Sequence, residues 1–333
     1  VCFNHPDYRS FHRAQVEELF DLHPRLAGFK YGQERGGPIG TVLGGGAATC
    51  FCGHCVAKAR DEGVDVERAT DGFRRLAQWV DDVRSPSGAA ASDDESPGGA
   101  SHASPYIDPP AIGLLSTLHR YPEILQWDRL WFDARESHRR DIYRWIKGVS
   151  PRARVGWHID HSLGWDFFMR AATDFGAMAR YTDFAALALY FDCMGPRMFG
   201  HFSRTTERTA FAGLPRETAY RAYLGLLGHD GETEPSLADH EADRAPFSAD
   251  YVARETRRAV HLVRGAYPVY ARVGFDVPMH PMATTAGQVR DAVSAALDAG
   301  ADGIMIAREW HEAKPENRRA AGSAIRDWAA RVR

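Results

Sequence analysis

Five short apolar stretches, each running into an acidic residue, alternate along the chain with segments of helical patterning. They are Leu26–Gly32, leading into Gln33-Glu34-Arg35; Ala153–Asp160; Phe184–Tyr190, leading into Asp192; Val269–Asp276; and Gly303–Glu309. Each is apolar enough to be buried on both faces, as a strand of a parallel sheet covered by helices must be. Between them, apolar residues recur at helical spacing over 7–23, from the cysteine cluster to about Val83, and over 127–146, 166–180, 216–228, 249–264, 286–299 and 315–332. In a (β/α)8 barrel the chemistry sits where the strands end, and here those ends are Glu34, Asp160, Asp192, Asp276 and Glu309. A doubly wound sheet would be expected to show a phosphate-binding glycine turn after its first strand, and no G-x-G-x-x-G or P-loop is present. The pattern predicts an α/β fold of the TIM-barrel type, one barrel domain over residues 1–333. The last stretch reads as the eighth strand. This chain then carries strands four to eight, and strands one to three lie upstream of Val1. The Ser-, Gly- and Pro-rich segment 85–106 reads as a mobile insertion, and 196–265 as a long helical insertion between strands six and seven.

Composition narrows the function classes. The 333 residues carry 41 Lys+Arg against 44 Asp+Glu, interspersed, so no basic surplus is available to hold a nucleic-acid backbone. No run approaches the roughly 18 apolar residues needed to span a bilayer. The 8 Trp, 12 Tyr and 17 Phe are a generous supply of the flat faces that sugar-binding clefts use.

Three of the five cysteines fall within six residues, in Cys50-Phe51-Cys52-Gly53-His54-Cys55. Thiols this close cannot readily pair with one another, because disulfide geometry is demanding. C-x-C-x-x-C supplies three thiolates, and a tetrahedral zinc needs a fourth ligand. Cys2 is the best candidate, since four sulfurs close the shell; the adjacent His54 is the alternative. A closed shell of this kind is structural. Reduced, metal-ready thiols favour a cytoplasmic location.

The stretch Cys2-Phe3-Asn4-His5-Pro6-Asp7-Tyr8-Arg9, a strand ending in an acid, and the cysteine knuckle together resemble the middle of the zinc-containing glycoside hydrolase family 42 β-galactosidases, of the clan A (β/α)8 glycosidases. The chain is also similar to uncharacterised glycosyl-hydrolase-like barrels with a Cys-Phe-Cys-x-x-Cys knuckle and an Ala-Asp-Gly-Ile…Arg-Glu last strand, here Ala301–Ile304 and Arg308-Glu309. The motif-level match covers roughly residues 2–58. It implies zinc on Cys2, Cys50, Cys52 and Cys55, and Glu34 as the acid/base that protonates the leaving oxygen. The nucleophile of the clan ends strand seven, where Asp276 stands in place of the family's Glu. Gln33 stands where the clan has Asn. Family 42 enzymes are often trimers, so a homo-oligomer is allowed.

Around these residues, His158, Asp160 and His161 form a His-x-Asp-His cluster. It reads first as a sugar-binding rim and second as a metal site. Trp157 alternates away from His158 and is assigned to packing. Gln33, Arg35, Trp165, Asp192, Glu309 and Trp310 complete the candidate substrate contacts, with Glu309 the reserve nucleophile and His311 beside it. No G-x-S-x-G elbow or Cys-His signature is present. The expected function is hydrolysis of an O-glycosidic bond in carbohydrate metabolism, with Glu34 as general acid/base and Asp276 as nucleophile or base. The alternatives are a non-catalytic carbohydrate-binding barrel, or a barrel lyase or isomerase.

Overall fold

The computed structural model describes residues 2–85, 108–242, 246–276, 284–307 and 310–332. The segment expected to be a mobile insertion lies outside these from residue 86 onward, as does Glu309. The chain divides into two compact units: residues 1–5, 36–135 and 201–223 form one, and 6–35, 136–200 and 224–333 the other.

The second unit holds the five expected strands: β1 (Gly28–Tyr31), β2 (Arg154–Ile159), β3 (Phe184–Leu189), β4 (Val269–Gly274) and β5 (Gly303–Ala307). They pair in sequential order and all run parallel. Parallel crossovers are right-handed, so a sheet wound in one direction places its connecting helices on one face. A doubly wound sheet reverses its order and places them on both. The observed order is compatible with part of a (β/α) barrel, and five strands are present among the described residues.

Register assigns the two faces. Val155, Trp157, Ile159, Leu187, Leu189, Ala271 and Val273 share one face and are buried. Trp157 is fully buried there, with Arg139 of the helix Glu123–Val149 over its ring at 5.2 Å, as assigned from the alternation. The opposite face carries Lys30, Gly156, His158, Phe184, Ala186, Ala188, Arg272 and Met305. All six residues of β3 are buried, yet three of them are alanines. At Gly156 a Cβ would lie 2.1 Å from the Phe184 ring, so only glycine admits Phe184 beside it.

The first unit is helical. Phe73, Leu76, Trp79 and Val80 form the buried stripe of the helix Val66–Arg84, whose amino end is capped by Asp65 accepting from the Arg68 amide. Gly72 lets Ile124 and Tyr121 approach this helix to within 3 Å of where a Cβ would stand. The two helices expected inside 196–265 are found at Arg216–Leu227 and Ala249–Val263. Among the described residues no helix is long and apolar enough to cross a membrane.

Candidate functional site

The knuckle is assembled at the start of the helix Gly53–Asp61, with Cys52 at its N-cap and Cys55 in its first turn. Cys2 meets them: its Sγ lies 3.4 Å from Cys55 Sγ and 3.5 Å from Cys52 Sγ. No disulfide joins them, and the ligand atoms of Cys2, Cys50, Cys52 and Cys55 all fall within 4.8 Å of one another. A tetrahedron of sulfurs about 2.3 Å from a central ion has edges of about 3.8 Å, so the four thiols fit a metal ion. Asn4 Nδ2 donates to Cys55 Sγ at 3.4 Å, and Phe51, stacked on Trp127 at 4.1 Å, fixes the loop between two ligands. His54 turns instead to His5, ring to ring at 4.5 Å, which leaves Cys2 as the fourth ligand. Burial raises the Cys55 thiol. Burial acts the same way on Cys52, but the Cys55 backbone and the neighbouring thiols outweigh it and bring Cys52 to about 7.

The second cluster forms at the carboxyl ends of β1 and β2. Glu34 Oε1 lies 2.8 Å from Nε2 of buried His158. The His158 ring beside it, opposed by burial, holds the Glu34 carboxyl down at about 2. His161 sits next to them, 9% exposed; burial pulls it down to about 4, so it is neutral at ordinary pH. Its Nε2 meets Arg197 Nη1 at 2.5 Å, and its Nδ1 is 3.1 Å from Asp160 Oδ1. The Tyr190 ring lies beside both imidazoles, with centroids 6.2 Å from His158 and 5.7 Å from His161. Arg272 covers the Tyr190 ring at 5.1 Å and donates to its hydroxyl. Trp165 meets His161 edge-on at 4.6 Å. Glu34, His158 and His161 also offer ligand atoms within 4.8 Å of one another, but the Arg197 guanidinium at His161 repels a cation there.

The remaining sequence-predicted residues do not all converge on this cluster. Gln33 is not a rim residue. It is buried, with Nε2 2.7 Å from His138 Nδ1 and Oε1 accepting from Arg139 Nε at 3.2 Å; alternation sends its side chain to the helix side while Glu34 faces the other way. Asp160 accepts from the Ser162 amide at 2.8 Å and Asp192 from the Cys193 amide at 3.0 Å, so both close local turns. Asp276 is an anchor: its Oδ2 accepts from Lys314 N at 3.0 Å and Asn317 Nδ2 at 2.7 Å, tying the end of β4 to the start of the helix Pro315–Arg331. Its side chain is 6% exposed, and Oδ1 makes no hydrogen bond. Trp310, a candidate substrate contact, is 62% exposed, with the Arg318 guanidinium over its ring at 5.0 Å. Arg35 is exposed next to Glu34.

Tyr190, Arg197, Arg272 and Lys30 were not singled out from the sequence. The available signal was a charged residue inside an otherwise apolar strand, as at Lys30 and Arg272. No family model matches this chain, and no curated protein matches it.

Proposed function

We propose that this chain belongs to a (β/α)8-barrel glycoside hydrolase, with β1–β5 as five of its eight strands and Glu34 as its proton-transfer group. The observation that carries this reading is the Glu34–His158 pair, 2.8 Å apart at the ends of adjacent parallel strands, with the Tyr190 ring beside His158 and Trp165 beyond His161. The pair sets an acidic side chain beside an imidazole at the strand ends, and in this reading Glu34 delivers a proton to the leaving glycosidic oxygen and takes one back from water. Aromatic faces beside it suit the apolar faces of a sugar ring. Asp276 enters as second carboxylate only if its Oδ1, buried and 3.4 Å from the Lys314 ammonium, is released from that contact.

The four cysteines are assigned to Zn2+ as a closed structural site, since four sulfurs leave no position for water or substrate. Their reduced state fits a cytoplasmic protein.

The test is a panel of chromogenic glycosides with the full chain and Glu34→Gln. Cleavage by the wild type, reduced about 10²- to 10⁴-fold in the variant, is expected. Equal turnover by both would refute the assignment. Sugar binding with no cleavage by the wild type would favour the second reading, a carbohydrate-binding barrel; the ionised state of Glu34 and the anchored state of Asp276 are the observations on that side.

A further inference from the structure

The face of the sheet that carries His158 presents more positive charge than proton transfer at Glu34 requires. Lys30 pairs with Gly156, His158 with Ala186, and Ala188 with Arg272, so Lys30, His158 and Arg272 project from one face of adjoining strands. Arg197 joins them from the helix Phe191–His201 through His161. Among the described residues, no carboxylate lies within ion-pair distance of Lys30, Arg197 or Arg272, whereas Glu34 is held by His158. The three cations sense the same place. Burial and then the charge of Arg272 depress the Lys30 ammonium, against the Glu34 carboxylate, which raises it. Arg272 and Arg197 both act on Tyr190, and Arg197 acts on Glu34. The nearby acids are engaged elsewhere: Asp160 with Ser162 and His161, and buried Asp192 with the Cys193 amide. The Glu34 carboxylate is the one negative charge these cations share; three cations facing one carboxylate leave a positive surplus, which a bound anion relieves.

Resting on the glycosidase reading above, we infer that the substrate is a glycoside bearing an anionic group (a uronate carboxylate, a phosphate or a sulfate), gripped by Arg272 and Lys30 beside the Tyr190 ring. A guanidinium matches the geometry of carboxylate and phosphate oxygens. The ionised Glu34 repels the same group, so the anion is directed to the Lys30–Arg272 side and the sugar is oriented with its glycosidic oxygen toward Glu34.

The test is calorimetric binding of the full chain to methyl glucoside, methyl glucuronide, methyl glucoside 6-phosphate and methyl glucoside 6-sulfate. At least one anionic member is expected to bind about tenfold or more tightly than the neutral sugar. That advantage should collapse in Arg272→Gln and in Lys30→Gln, and in about 0.5 M salt. Which member leads identifies the anion. Lys30 is exposed, so Lys30→Gln carries the test if Arg272→Gln melts abnormally. Equal affinity for neutral and anionic sugars, an advantage that survives both substitutions, or no binding of any anionic member at millimolar concentration would overturn the inference. The two readings fail separately. Glu34-dependent cleavage of neutral glycosides with no anionic preference leaves hydrolysis standing and removes this inference. Arg272-dependent binding of an anionic glycoside that is never cleaved does the reverse.

Discussion

Replacing Asp276 separates its role as an anchor from a role in chemistry. Its Oδ2 accepts from the Lys314 amide at 3.0 Å and the Asn317 side chain at 2.7 Å. Hydrogen bonds to a charged group are each worth about 1.5–3 kcal/mol. Two that share one oxygen are taken at the lower end, so Asp276→Ala is expected to cost about 3 kcal/mol. The ammonium of Lys314, 3.4 Å from Oδ1 and 42% exposed, adds little after solvent screening. At about 2 °C per kcal/mol for a chain of this length, the alanine variant melts about 6 °C below the wild type. Asp276→Asn keeps an acceptor oxygen and loses only the charge, for about 1 kcal/mol. The backbone offers an internal control. Asp276 has φ +59°, a left-handed conformation that disfavours any Cβ by about 1 kcal/mol, so Asp276→Gly should melt about 2 °C above Asp276→Ala. Thermal unfolding followed by circular dichroism reads all three. An alanine variant that melts with the wild type would show that Asp276 does not anchor the last helix. An asparagine variant with intact melting and no turnover would assign the carboxylate to the reaction itself.

Three further outcomes follow from the geometry. Stripping metal from the knuckle opens a loop between Cys2 and Cys55, positions 53 apart in sequence. Loop-closure entropy puts that loss at about 4 kcal/mol, so a chelator should lower the melting temperature by about 8 °C, with recovery on adding zinc; a chelated protein that melts unchanged would sink the metal assignment. Burial holds His161 near 4 in the folded chain against an ordinary 6.5. The unfolded chain therefore takes up a proton first, and the contribution of His161 is complete above about pH 6.5, declines down to about pH 4, and is level below that; His161→Asn should flatten this part of the stability–pH curve, and an unaltered slope would count against it. Gln33→Leu deprives buried His138 and Arg139 of a shared partner, at about 2 kcal/mol, and should lower the melting temperature by about 4 °C in the same assay.

The sheet was legible because a strand buried on both faces has little choice but to be apolar throughout, as Phe184–Leu189 is. The ends of the strands were less so. The expected strands 153–160 and 269–276 stop at Ile159 and Gly274, because the next residues leave the ladder to make turns. The reason lies in one methylene group. Aspartate is short enough to capture a backbone amide one or two residues ahead, as Asp160 and Asp192 do. Glutamate reaches past its own turn, and Glu34 meets His158 on the neighbouring strand. An acidic residue at the end of a strand is visible in sequence; whether it serves its own turn or the site depends on that reach and on what stands opposite. Trp310 shows the same blindness for aromatics, since nothing in its neighbours foretold that Arg318 would cover it. The cysteine cluster was readable because ligand spacing is a local property, and Cys2, named with it from the sequence, stands beside it in the fold.

The alanines of β3 carry a further implication. Ala186 and Ala188 lie in register with His158 and Arg272, and methyl side chains let both polar groups rest low against the sheet. A bulkier residue at either position would add apolar contact and raise the melting point by ordinary protein-engineering logic. It would also lift the imidazole and the guanidinium out of alignment. If the proposed activity holds, rigidity gained at the centre of this sheet comes at its expense, and a screen that selects for heat resistance alone should drift toward inert variants at these two sites.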